Sequence, residues 1–139
     1  MARLDDVRAT PRSEATRSFA KCAEFADLAR DALEGEKWDG AGLSAIHSGI
    51  CAADSALIAS AELRSISNDH GAVIAILDAQ VPEFTATQRR QLGGLLKMKN
   101  RVAYEQRLLT ETEARQLVDH AERLATWAQR VVDDHRDGR

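Results

Sequence analysis

Apolar residues recur every three or four positions along most of this chain, which is the spacing that places them on one face of an α-helix. From Ser13 to Glu34 the recurring positions are Phe19, Cys22, Ala23, Ala26, Leu28, Ala29 and Leu33. From about Asp39 to Leu63 they are Leu43, Ile46, Ile50, Ala53, Leu57, Ile58 and Ala61. The pattern therefore predicts two long helices, separated by a turn in the sequence GEKWDGAG.

Two further helices are predicted in the middle of the chain. The segment HGAVIAILDAQ, residues 70–80, is almost entirely apolar, so we expect it to be buried on most sides. Pro82 ends this helix, because proline lacks a backbone donor and disfavours helix in the residue before it. Thr85 or Thr87 is expected to cap the next helix, over about residues 86–104.

A capping box marks the start of the last helix. Thr110 and Glu113 match the pattern S/T-x-x-E, in which the two side chains satisfy the first free N–H groups of a helix. The five segments predict an all-α fold, an antiparallel bundle of four to five helices joined by short loops. Residues 1–12 lack helical periodicity and are predicted to form a flexible N-terminal arm, so a single bundle domain is expected over residues 13–137. No strand-like alternation is visible in the sequence.

Composition and charge narrow the class of protein. With 19 Lys and Arg against 22 Asp and Glu, the formal net charge is −3, so any contact with RNA must come from a local basic patch. Cys22 and Cys51 lack the paired spacing of metal motifs, and the N-terminal sequence is charged, so we expect reduced thiols and a cytoplasmic protein. No run of about 18 apolar residues is present, which predicts no membrane span. The sequence implies no cofactor.

The sequence LLKMKNRVAYEQ, residues 95–106, concentrates polar groups at the end of the fourth helix. With about 100° of rotation per residue, one arc of that helix carries Lys97, Asn100, Arg101 and Tyr104, and the opposite arc carries Leu92, Leu95, Leu96, Val102 and Ala103. Lys99 falls within the apolar arc. An ammonium group in that position must extend to solvent, pair with an acid or border a hydrated cleft.

The segment KNRVAY resembles the motif of HEPN domains, the higher eukaryotes and prokaryotes nucleotide-binding family. In those compact helical bundles an Arg, usually a following Asn, and a His after four to six intervening residues lie near the end of the penultimate long helix. Lys99 matches the Arg position, Asn100 the Asn position and Tyr104 the His position. The stretches AIHSGICAADSALIA, SNDHGAVIAILDA and LTETEARQLVDHAERL extend the resemblance over most of the chain.

Active members of this family are metal-independent ribonucleases whose Arg and His act on RNA, usually in a cleft shared by two subunits. Here the resemblance implies weaker chemistry, because lysine lacks the bidentate fork of arginine. Tyrosine, with an ordinary pKa of about 10, is also a poor general base at neutral pH. We therefore expect a binding or regulatory component of a bacterial toxin–antitoxin or defence-type system with a degenerate ribonuclease motif, rather than an active enzyme.

Two alternatives stay open at this point. One is a ribonuclease with residual activity, in which Lys99 and the spare cation Arg101 bind the scissile phosphate. In that case Asn100 orients the phosphate and Tyr104 assists proton transfer. The other is a purely structural helical dimer. The resemblance also implies partners, namely a second copy of the chain, RNA or a nucleotide, and a nucleotidyltransferase-type protein, which would contact the surface from Lys97 to Tyr104.

A second polar cluster is predicted on the second helix, where His47, Cys51 and Asp54 recur at i, i+4 and i+7 and so share one face. A zinc site would need all three groups and a fourth ligand from elsewhere. A hydrogen-bonded polar pair across the bundle needs no metal, and we prefer it. The family likeness adds a third option, in which Asp54 pairs with Lys99 or Arg101 and His47 lines the same cleft.

Overall fold

Five helices and a two-stranded antiparallel ribbon make up the part of the chain that the computed structural model describes, residues 6–136. The helices are α1 (Ala15–Glu34), α2 (Trp38–Ala61), α3 (His70–Gln80), α4 (Ala86–Tyr104) and α5 (Glu111–Arg136). The strands are β1 (Val7–Ala9) and β2 (Leu63–Ser65), and a short 3₁₀ helix at Arg12–Glu14 leads into α1. The predicted all-α class is confirmed, and the helix bounds lie within about two residues of the predicted ones.

Helix α2 lies at the centre of the bundle and packs against α1, α4 and α5. Its buried positions are mainly small residues, Ala41, Gly42, Ala45, Ser48, Gly49, Ala52, Ala53, Ser55, Ala56 and Ala59, with Ile46, Leu57 and Ile58 among them. Small side chains let the neighbouring helices approach closely, and larger side chains from those neighbours fill the remaining space. Leu95 of α4 lies over Gly49, and Leu109 of the α4–α5 loop lies over Gly42.

Within residues 6–136, α2 is also the one helix that is long and apolar enough to cross a membrane by length and composition alone. However, 67% of its most apolar 18-residue window is buried against the rest of the chain. Burial on this scale is typical of the central helix of a globular domain, because the apolar groups already have protein neighbours. The structure therefore accounts for the hydropathy of α2 without a lipid environment.

Local hydrogen bonds fix the starts of α4 and α5 at the predicted positions. The N–H of Thr85 donates to Oε1 of Gln88 (3.0 Å), which selects Thr85 rather than Thr87 as the cap of α4. The N–H of Thr110 donates to Oε1 of Glu113 (2.9 Å), and the N–H of Glu113 donates to the Thr110 hydroxyl (3.1 Å). Both helices therefore begin with the reciprocal pairing that defines a capping box.

The end of the predicted N-terminal arm is part of the fold. Strand β1 pairs antiparallel with β2, and Val7 lies opposite Ser65. Farther along, the Arg12 Nε–H donates to the carbonyl of Ala59 (2.7 Å). Three-residue strands are too short to show alternation, and their partners lie far apart along the chain, so periodicity did not indicate this pairing. Residues 1–5 of the predicted arm lie outside the described residues.

Helix α3 is less buried than its apolar sequence predicts. Only Ile76 and Leu77 are buried within it, while Val73 and Ile74 are partly buried. The reason is position, because α3 packs mainly against α2 and α4 at the edge of the bundle. An edge helix with two neighbours leaves part of its surface in water, whatever its composition.

The loop between α3 and α4 holds the C-terminal half of α5. The indole N–H of Trp127 donates to the backbone carbonyl of Glu83 (3.1 Å). The Nε2 atom of His135 lies 2.8 Å from the carboxylate of Glu83. Trp127 is buried, so its indole is a packing group of the bundle rather than an exposed anchor for a ligand.

We expect Gly49→Ala to destabilise the fold by about 1–3 kcal/mol, because the added methyl group would overlap the fully buried side chain of Leu95. Gly40→Ala is the matched control, since it lies in the same helix and an added Cβ there meets only ordinary contacts. The control should be neutral or slightly stabilising, because alanine favours helix over glycine. Denaturant unfolding measures both variants. Equal stabilities would contradict the close approach of α2 and α4.

Candidate functional site

A small cavity lies between α2, α3, α4 and β2, and we call it the inner cavity. Its volume is about 130 Å³. It is lined by Ile50, Ala53 and Asp54 of α2, Ser65 of β2, Ser67 and Asn68 of the following loop, His70 and Val73 of α3, and Leu92, Leu96 and Lys99 of α4. The lining thus combines apolar side chains with a carboxyl, an ammonium, an imidazole, an amide and two hydroxyl groups.

Helical spacing carries Lys99 into the inner cavity. Leu92, Leu96 and Lys99 follow one another at i, i+4 and i+7, so they lie on one face of α4. The two leucines are buried, and Lys99 is half-buried where it borders the cavity. Its ammonium group forms no ion pair with a described residue. Of the three arrangements open to this lysine, the structure shows the one in which it borders a cavity.

The loop before α3 is fixed by its own side chains. Three backbone N–H groups donate to side-chain oxygens, Ser67 to Ser65 (3.3 Å), Asp69 to Ser67 (3.1 Å) and Gly71 to Asp69 (3.0 Å). These bonds set the path of the loop and so place Asn68 and His70 at the wall of the cavity. Sequence reasoning did not group these residues with Lys99. The one available signal was the run of Ser, Asn, Asp and His before a helix, since such loops often carry functional groups.

Asp54 lines the inner cavity, and the pKa of its carboxyl group is raised well above the ordinary value. Burial raises the pKa of its carboxyl group to about 6, although the nearby cations Arg64 and Lys21 act in the opposite direction. Asp54 and Lys99 line the same cavity but form no ion pair with each other, so the option that Asp54 pairs with Lys99 is wrong. A carboxyl group with such a pKa exchanges its proton close to neutral pH, which is a common property of groups at functional sites.

The three positions matched to the HEPN motif do not converge in this chain. Lys99 borders the inner cavity, whereas Asn100 is exposed and Tyr104 is 82% exposed at the end of α4. The physical reason is helical geometry, because five residues rotate the chain by about 140° beyond a full turn. The lysine and the tyrosine therefore point to different sides of α4. Within one chain they cannot contact the same phosphate.

Lys97 and Arg101 lie in a groove between α4 and α5, which has a volume of about 320 Å³. Its lining residues are Gly94, Lys97, Met98, Arg101, Glu113, Gln116, Leu117 and His120. Arg101 forms ion pairs with Glu105 (3.4 Å) and Glu113 (3.1 Å). The option that Arg101 pairs with Asp54 is therefore wrong, because Arg101 faces α5 and two other carboxylates already balance its charge.

His120 of α5 is one of the residues that line the α4–α5 groove. Its Nδ1 atom is buried without a hydrogen-bond partner. Burial lowers the pKa of the imidazole, and the nearby cations Arg90 and Arg123 lower it further against the opposing effect of Asp119. The ring is therefore neutral at pH 7, and it fits closely against the backbone of Gly94.

His47 lies apart from the inner cavity. Its ring stacks on Phe25 of α1, with the two ring centroids 5.4 Å apart. Seven residues of helix span about 10 Å, so sharing a face with Asp54 does not bring His47 into the same cleft. The option that His47 lines the cleft of Asp54 and Lys99 is therefore wrong. Among residues 6–136, no three His, Cys, Asp or Glu side chains come together in a group that could hold a metal ion.

No protein-family model matches the chain, and no curated protein sequence matches it. A relation to HEPN domains therefore stays a prediction from the resemblance of KNRVAY and its flanking stretches. The five-helix bundle agrees with the fold that this resemblance implies. Within one chain, Lys99 and Tyr104 lie on different sides of α4, so a site that uses both residues would need two subunits.

We expect Asp54→Asn to stabilise the protein by about 1–3 kcal/mol above pH 6, because the raised pKa means that ionised Asp54 is disfavoured in the fold. The effect should fade as pH falls toward 4, where Asp54 is protonated in the folded chain and about half protonated in the unfolded chain. Asp27→Asn, at an exposed position of α1, is the control and should change stability little at any pH. Denaturant unfolding across pH 4–8 checks this. A destabilised Asp54→Asn variant at pH 7.5 would show that the ionised carboxylate is held by favourable contacts.

Proposed function

We propose that this chain is a HEPN-like binding or regulatory component of a bacterial toxin–antitoxin or defence-type system, acting in the cytoplasm with a degenerate ribonuclease motif. The observation that best supports this proposal is the division of the motif between two sides of α4. Lys99 borders the inner cavity, while Tyr104 is exposed at the end of the helix. Within one chain, such a surface can bind a partner without bringing together the two groups that RNA cleavage requires.

The chemistry of cleavage explains why this separation matters. Metal-independent cleavage of RNA needs a general base at the attacking hydroxyl and a cation at the scissile phosphate, both in contact with one substrate. Lys99 and Tyr104 do not meet this condition within one chain. Arg101 does not supply a cation for the phosphate in place of the motif arginine, because its guanidinium group is already paired with Glu105 and Glu113. Binding without turnover is the function that fits these contacts best.

The end of α4 supports the proposal of a protein partner. Tyr104 is 82% exposed, and Leu108, in the loop that follows, is 67% exposed. Large exposed apolar side chains are a common feature of contact surfaces between proteins. We propose that a second copy of the chain docks at this end of α4. RNA or a nucleotide, and a nucleotidyltransferase-type protein, are the further partners proposed for the surface from Lys97 to Tyr104.

The purified protein should bind single-stranded RNA at low salt and leave it intact, with or without EDTA. Fluorescence anisotropy measures the binding, and gel analysis of a mixed RNA pool measures cleavage. Lys97→Gln should weaken binding several-fold and flatten its salt dependence, because one phosphate contact is lost. The matched control is Lys37→Gln, at an exposed lysine before α2 that should not affect binding.

Two results would count against this proposal. Cleavage that survives EDTA and disappears in Lys99→Ala or Tyr104→Phe would show a ribonuclease with residual activity. Absence of RNA binding even at low salt, where phosphate contacts are strongest, would favour a purely structural dimer.

We expect the protein to sediment at twice the chain mass of 15.3 kDa. The protomer concentration should be about 50 µM, because a high protomer concentration shifts the equilibrium toward the proposed dimer. Replacing Tyr104 and Leu108 together with serine should shift it to monomer, since both apolar groups would leave the proposed interface. Leu28→Ser, at an exposed leucine of α1, is the control and should leave the dimer intact. A wild-type monomer at this concentration would rule out the proposed dimer.

A further inference from the structure

A second depression, which we call the basic groove, lies between α1, α2 and β2. Its volume is about 380 Å³. Arg17 and Lys21 of α1 and Arg64 of β2 line it, together with Ser18, Cys51 and Asp54. Asp54 lines both this groove and the inner cavity. No residue from Lys97 to Tyr104 lines the groove, so it is separate from the surface proposed for RNA and protein partners.

The three cations of the basic groove form no ion pair with a described residue, although Arg64 and Lys21 lie near the carboxyl group of Asp54. Most arginines of the described chain form an ion pair, namely Arg12, Arg30, Arg89, Arg101, Arg107, Arg115, Arg123 and Arg136. Arg17, Lys21 and Arg64 form none with any described residue. The net charge of −3 means that acidic side chains are in excess. The lack of ion pairs between these three cations and the described residues is therefore not the result of a shortage of acids.

The β-ribbon adds a fourth cation to the same region. The register of β1 and β2 sets Arg8 directly opposite Arg64, and both side chains are exposed. Like charges at directly opposed positions destabilise a pair of β-strands. An anion bound beside Arg64 would relieve this repulsion, so the pairing of Arg8 with Arg64 is more favourable with an anion bound than in the free protein.

Two acidic side chains also line the groove, Glu14 and Asp54. Glu14 is exposed and Asp54 is half-buried, and neither forms an ion pair with the cations. The lining of the groove therefore holds three cations, Arg17, Lys21 and Arg64, and two carboxyl groups. The groove keeps a positive charge even when both acids are ionised, and opposite charge in a concave surface attracts anions.

We propose that the basic groove binds the phosphate group of a small phosphorylated molecule through Arg17, Lys21 and Arg64. Guanidinium groups match phosphate oxygens in bidentate geometry, and the ammonium group adds a point charge. The groove falls in the size range of small-molecule sites, about 300–1,000 Å³. The acidic net charge of the chain disfavours a long polyanion, which would also have to pass other surfaces.

Isothermal titration calorimetry of the full chain with inorganic phosphate and with AMP, at low ionic strength, tests this proposal. Arg64→Gln should weaken the binding of both probes about tenfold, because charge-assisted hydrogen bonds to phosphate are lost. Asp54→Asn should strengthen binding several-fold, because a negative charge leaves the groove. Arg130→Gln is the matched control, since Arg130 is also exposed and without an ion pair but lies on α5.

Failure of both probes to bind, or equal effects of Arg64→Gln and Arg130→Gln, would overturn the proposal. Binding of a short RNA but of neither small probe, with the same sensitivity to Arg64→Gln, would overturn the assignment to a small molecule. Lys97→Gln should leave phosphate binding unchanged, which would distinguish the basic groove from the surface from Lys97 to Tyr104. Circular dichroism of each variant checks that it is folded, and Arg64→Lys should recover part of the binding through its retained charge.

Discussion

The close packing of small residues along α2 is the constraint on which the rest of this structure depends. Gly42 and Gly49 have no room for a Cβ, because Leu109 and Leu95 occupy the space above them. Ser48 is buried in the same helix, and its hydroxyl donates to the carbonyl of Cys22 on α1 (2.9 Å). A central helix with so little side-chain volume draws its neighbours inward, and their larger side chains complete the core.

This packing decides how the motif helix is oriented. The apolar stripe of α4 must face α2, since burying Leu92, Leu95 and Leu96 is the main favourable contribution of that helix. Once the stripe faces inward, the i+7 position carries Lys99 to the inner cavity and leaves Tyr104 at the surface. The functional proposal thus follows from a packing requirement rather than from a particular contact of the motif residues.

The short β-ribbon links the two candidate binding surfaces. Successive residues of a strand point to opposite sides, and β2 shows the consequence, since Arg64 lines the basic groove and Ser65 lines the inner cavity. Asp54 lies between them and lines both. Ionisation of one carboxyl group therefore affects the charge of two neighbouring sites, and burial places that ionisation near pH 6.

Periodicity and capping chemistry determined most of the fold from the sequence alone. Apolar patterning marked the helices, the Thr110 box set where α5 begins, and Thr85 or Thr87 was the expected cap of α4, because these signals are local. The position of Lys99 on the apolar face of α4 was also readable from spacing. Local patterns say nothing of which faces meet, so the sequence did not reveal that α3 lies at an edge or that His47 stacks on Phe25.

Only the tertiary structure decided the composition of the sites. The pairing of β1 with β2 joins segments far apart in the chain, and the packing of α1 against α2 brings Arg17 and Lys21 to the groove that Arg64 lines. In the same way, the ion pairs of Arg101 depend on where α5 docks. The physical reason is common to these cases. Sequence periodicity reports which side of an element is apolar, whereas a site depends on distances between elements, and those are fixed by packing of the whole core.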